Sequence, residues 1–124
     1  MNNHVETAAV MKVIQAYKDG TYCGEADTLK GVFHDRAVMN GFLGPDILIG
    51  DPAPFIEDIG ATPSMRDNGD PYRAEVESIR IEGNVASVIL SETGFRGAGV
   101  LVDFFHLIKE DGAWKIVSKL FTTL

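Results

Sequence analysis

The stretch that decides the fold is the last 24 residues, Leu101 to Leu124, LVDFFHLIKEDGAWKIVSKLFTTL. Two runs rich in Phe, Val, Ile and Leu flank Asp111-Gly112, a dipeptide that supplies the positive φ angles of a tight turn. The stretch therefore predicts a β-hairpin. Both runs are apolar on both faces, which predicts strands inside a sheet covered on each side. Regular pairing from the turn sets Glu110 opposite Ala113, His106 opposite Val117 and Phe104 opposite Lys119. In that register His106 and Lys119 share one face with Val102, Ile108 and Phe121. Phe105, Leu107, Trp114, Ile116 and Leu120 form the other.

Upstream of the hairpin the pattern changes from alternation to helical periodicity. Val10, Val13, Ile14 and Tyr17 recur at three- and four-residue spacing, predicting a helix from about Val5 to Lys18. Asn3 and Glu6 resemble a capping pair at its start, and Asp19-Gly20 marks its end. A second, short helix spans Ala26 to Phe33, with His34-Asp35-Arg36 as a polar exit. Ala37 to Leu43 reads as a strand, Ile47 to Ile49 as another, and Asp51-Pro52 opens a helix that Gly60 ends. Ala61 to Pro71 reads as a long loop, a mobile lid or a poorly ordered excursion. Tyr72, Ala74 and Val76 then alternate with charged residues before the apolar parity moves to Ile79 and Ile81. That move predicts a β-bulge near Glu77-Ser78. A further strand runs from Val85 to about Thr93, and a flexible connection from Gly94 to Gly99 leads into the hairpin.

Helices gathered ahead of a meander of strands predict an α+β fold, with the helices on one face of a curved, mostly antiparallel sheet. Such a cone holds a pocket unless side chains fill it. The 124 residues form one expected domain over 1–124. A formal net charge of −7 without a basic run argues against nucleic acid or an anionic membrane as partner. No apolar run reaches the length of a membrane span. Cys23 is the single cysteine, which fits a reducing compartment, and the first residues carry no secretory pattern. A cytoplasmic protein is expected. The three histidines are scattered and no cluster has metal-ligand spacing, so neither metal nor cofactor is expected.

The segment from Gly20 to Asp35, the Ala37-Val38-Met39-Asn40-Gly41 strand, and the hairpin motifs around Asp103-Phe104-Phe105-His106-Leu107 and Trp114-Lys115-Ile116-Val117 together resemble the nuclear transport factor 2-like superfamily. Within it the hairpin is most similar to the lumazine-binding and polyketide-cyclase-like group. The resemblance implies a cystatin-like cone fold. Its members include ketosteroid isomerase, scytalone dehydratase and non-catalytic association domains, so the fold does not fix an activity. By the resemblance to the isomerase, His106 takes the place of that enzyme's protonated Asp, and Tyr17 that of its oxyanion-hole Tyr. The general-base position falls on Gly41, with Asn40 beside it and no carboxylate.

Tyr17, Asn40, Phe104, His106, Lys119 and Phe121 are therefore the expected pocket residues, with His106 as candidate acid or base. His106 can equally be a core histidine, Lys119 a surface lysine with its stem buried, and Tyr17 a packing residue. Three functions follow. The first is a pocket protein for an unknown compact, partly aromatic or enolisable small molecule. The second is a lyase or isomerase that uses His106. The third is an association module whose cone is filled. A homodimer through the sheet is expected.

Overall fold

A computed structural model of the chain describes residues 3–124. Helix α1 (Asn3–Cys23) is longer than its periodicity predicted, because Gly20 does not stop it. Gly20 lies inside the helix against α2 (Ala26–Val32), where a Cβ would approach the Leu29 side chain to 3.1 Å. The missing side chain brings the helices close, and the chain turns one residue after α1 at Gly24, with φ +71°. Asn3 is the first helical residue, and Glu6 makes no capping box. Its carboxylate accepts from Lys109 Nζ at 2.8 Å and Trp114 Nε1 at 2.9 Å, which pins α1 to the far hairpin.

The chain passes straight from α2 into β1 (Phe33–Leu43), so Phe33 and the expected polar exit His34-Asp35-Arg36 are strand residues. After β2 (Asp46–Gly50), Asp51 Oδ1 accepts from the Ala53 amide at 2.8 Å and opens α3 (Ala53–Ala61). Gly60 is helical, and it ends nothing. The stretch read as a loop contains a one-turn helix, α4 (Met65–Asn68), capped by Ser64 and closed by Gly69 in the left-handed region. Strands β3 (Arg73–Glu82), β4 (Val85–Phe95), β5 (Gly99–Glu110) and β6 (Ala113–Thr123) follow.

One sheet results, in the order β2-β1-β6-β5-β4-β3, antiparallel except where β1 runs parallel to β6. The expected bulge is present at Glu77, between the Val76 and Ser78 pairings. A second bulge lies where none was predicted. Leu107 pairs with Ile116 but His106 pairs with Ser118, leaving Val117 unpaired on β6. One extra residue exchanges the faces of everything beyond it. Trp114 and Ile116 point to the helices before the bulge; Lys119 and Phe121 do so after it. On β5 the inward set is unbroken: Leu101, Asp103, Phe105 and Leu107. Val10, Ile14 and Tyr17 of α1 pack on this face with Leu29, Ile56, Val88, Leu90 and Phe105, forming the core. The described residues leave the opposite face uncovered. Phe104 and Leu120 stand 44% and 52% exposed on it.

Candidate functional site

The core does not fill the cone. Between α1, α3, the β2 arm and the inward ends of β4, β5 and β6 lies a cavity of about 560 Å³. Its walls are apolar, with Met39, Leu43, Leu48, Pro54, Phe55, Phe95, Leu101 and Phe121 around it. The floor is polar, and Lys119, Glu92 and Tyr17 reach it. Lys119 is 4% exposed and Glu92 2%, with Asp103 behind them fully buried.

Register explains why these groups meet. Glu92 pairs with Leu101 across β4 and β5, and Asp103 pairs with Phe121 across β5 and β6, so the two carboxyls are diagonal neighbours on one face. Lys119 pairs with Phe105, which sets it diagonal to Asp103 from the other side. Tyr17 comes down from α1 onto the same point. Lys119 Nζ donates to Tyr17 Oη at 2.7 Å and lies 4.0 Å from Asp103 Oδ1, while Tyr17 Oη donates to Asp103 Oδ2 at 3.4 Å. Tyr72 Oη donates to Glu92 Oε2. The ammonium of Lys119 also sits over aromatic rings, 4.0 Å from the Phe55 centroid and 5.2 Å from that of Tyr17.

Two carboxyls and one ammonium do not balance unless one carboxyl is neutral. Burial, with the adjacent Asp103 accepting a hydrogen bond and adding its charge, pushes the Glu92 carboxyl up to about 9, against the opposing pull of Lys119 and Tyr72. A protonated Glu92 is a donor beside Asp103, whose Oδ1 is buried with no hydrogen-bond partner among the described residues. Burial first, then the nearby carboxylates, raise the Tyr17 and Tyr72 phenols as well, so both remain donors.

The expected pocket residues divide. Tyr17, Lys119 and Phe121 line the cavity. His106 does not: it is exposed on the outer face, because the Val117 bulge separates it from Lys119. The carboxyl that meets Tyr17 is Asp103, three residues earlier. Asn40 and Phe104 border a groove of about 320 Å³ on the outer face, and Asn40 Oδ1 accepts from the Gly50 amide. At Gly41 a Cβ would lie 2.0 Å from the Phe121 carbonyl oxygen, so no side chain fits at the isomerase's base position. Glu92 and Asp103 were missed by the sequence reading. Their signal is parity: each is the single charged residue in an inward apolar series, Ala86-Val88-Leu90-Glu92 and Leu101-Asp103-Phe105-Leu107.

A half-exposed ion pair also lines the cavity. Arg96, in the left-handed region with φ +50°, reaches Asp58 of α3 at 2.8 Å and donates to Thr62 Oγ1 at 3.2 Å. Among the described residues no helix is long and apolar enough to cross a membrane.

Among solved structures, a nuclear transport factor 2-like protein of unknown function from Shewanella baltica superposes with a TM-score of 0.87 at 23% identity, covering 100% of this chain and 98% of that one. One from Silicibacter pomeroyi gives 0.87 at 19%, covering each chain completely. A ketosteroid isomerase-like protein from Erwinia carotovora gives 0.67 at 15%, covering 94% of this chain and 95% of that one. These likenesses establish the nuclear transport factor 2-like cone. No curated protein matches the chain by sequence. A family profile described as "Putative lumazine-binding" matches residues 5–122, nearly the full length, and the chain belongs to that family.

Proposed function

We propose that the chain binds a compact, partly aromatic or enolisable small molecule inside the cone, with Lys119, Glu92 and Tyr17 providing its polar contacts. One observation carries this reading: a cavity of about 560 Å³ with an apolar wall ends on a buried, mutually bonded polar floor. Apolar walls give affinity and a few fixed polar groups give orientation. The family name adds bicyclic pteridine-diones to the compounds worth testing. The premise of a filled cone, which the association-module reading needs, has no support in a cavity of this size.

The test is a thermal-shift and calorimetric series with aromatic ketones, hydroxynaphthoquinones and lumazine. Wild type is expected to be stabilised by at least one class, and Lys119→Met to lose about tenfold or more in affinity for it. A series without a single shift, or equal affinity in Lys119→Met, removes the proposal. An isomerase or lyase use of the same pocket passes from His106 to Glu92, whose carboxyl borders the cavity and keeps its proton at neutral pH. Two copies are further proposed to pair through the exposed sheet face, where Phe104 and Leu120 flank an apolar groove.

A further inference from the structure

The floor of the cavity sets two buried carboxyls against one buried ammonium, contributed by three elements. Lys119 of β6 supplies one positive charge, and Asp103 of β5 and Glu92 of β4 supply two carboxyls. The groups facing Glu92 are Tyr72 from the segment before β3, Asp103, Lys119 and, from α1, Tyr17. Only one of them is a cation. Asp103 Oδ1 is buried and has no hydrogen-bond partner among the described residues.

We propose that this floor selects an uncharged carbonyl compound over the carboxylate of the same shape, and that Asp103 sets the preference without touching the ligand. The proposal rests on the ligand-pocket reading above. Lys119 Nζ donates to Tyr17 Oη, lies 4.0 Å from Asp103 Oδ1 and sits over the Phe55 ring, and the side chain lines the cavity. A ketone or quinone oxygen accepts a hydrogen bond from that ammonium and adds no charge to the site. A carboxylate accepts it too, but adds a negative charge for which no buried cation remains. The other cation lining the cavity, Arg96, is half-exposed and already paired with Asp58. An unbalanced charge in a dry site costs far more than at a surface. Asp103 does not line the cavity, so it is a positioning residue that acts by holding the charge of Lys119 matched.

The probes are 2-acetylnaphthalene and 2-naphthoate, which share one bicycle and differ in charge. At neutral pH wild type is expected to bind the ketone at least about tenfold tighter. Glu92→Gln/Asp103→Asn replaces both carboxyls by uncharged amides and leaves Lys119 unmatched. The affinity ratio should then move toward the carboxylate by about tenfold or more, which a loss of packing alone would not produce. Should circular dichroism show the double variant unfolded, the pH arm decides. Raising wild type to about pH 9.5 ionises Glu92 and should widen the gap between the probes, and Glu92→Gln should abolish that response. Equal or tighter binding of naphthoate by wild type overturns the inference while leaving a ligand pocket in place. An unmoved ratio in the folded double variant, or an unmoved gap at high pH, overturns the role of the buried charges. Failure of both probes to bind overturns the inference and the pocket reading together.

Discussion

Glu92 holds a proton that is linked to folding. The folded chain keeps it on Glu92 up to about pH 9, whereas an unfolded glutamate releases it near the ordinary value of 4.5. Between those values the folded state binds more protons, so stability falls as pH rises through the window, by up to about 1.4 kcal/mol per unit. Glu92→Gln is isosteric with the protonated acid. Its amide donates to Asp103 and accepts from Tyr72, so urea denaturation of this variant should be nearly flat from about pH 5 to 9. A wild-type profile that is itself flat there would mean that Glu92 is ionised. At this scale the sequence was partly legible. Tyr17 and Lys119 were identified by residue type and place, but a carboxyl set among apolar inward positions reads as an ordinary surface residue until the face of its strand is known. His106 was chosen because histidine titrates near neutrality, a chemical reason that carries no information about direction.

At the scale of elements, register decided what residue type could not. The bulge at Glu77 was legible because apolar parity changes visibly there, from Val76 to Ile79. The bulge at Val117 was not, because β6 carries apolar residues at both parities and either register buries a plausible set. Helix ends were misplaced for a related reason. Gly20 and Gly60 look like stops, yet both are sites of close helix approach, where a Cβ at Gly60 would lie 2.9 Å from that of Ala26. The glycine that does govern backbone shape is Gly94, between the last regular pair of β4 and the turn that carries Arg96. Its φ is +66°, and a Cβ there would lie 2.1 Å from the Pro71 carbonyl oxygen. Gly94→Ala should therefore cost about 3 kcal/mol in chemical denaturation and loosen the Arg96–Asp58 ion pair. A loss below about 0.5 kcal/mol would show that the turn adapts.

For the whole molecule, the helices cover one face of the sheet and leave the other bare. The hairpin's apolarity on both faces predicted a sheet buried on each side, and among the described residues only the helix side is covered. If a second copy completes it, Phe104→Asp should give the monomer mass in sedimentation at micromolar concentration, with circular dichroism unchanged. A wild type that sediments as a monomer contradicts the pairing. The two ends of the cone are also fixed by different groups. The ligand end depends on Lys119 and the buried carboxyls, and the opposite end on the Glu6 clasp, where the hydrogen bond from Lys109 holds the carboxyl below its usual range. Trp114, the chain's one tryptophan, belongs wholly to that clasp: its ring nitrogen donates to Glu6, and it is absent from the cavity lining. The emission of Trp114 is thus a gauge of whether the first helix is seated on the sheet.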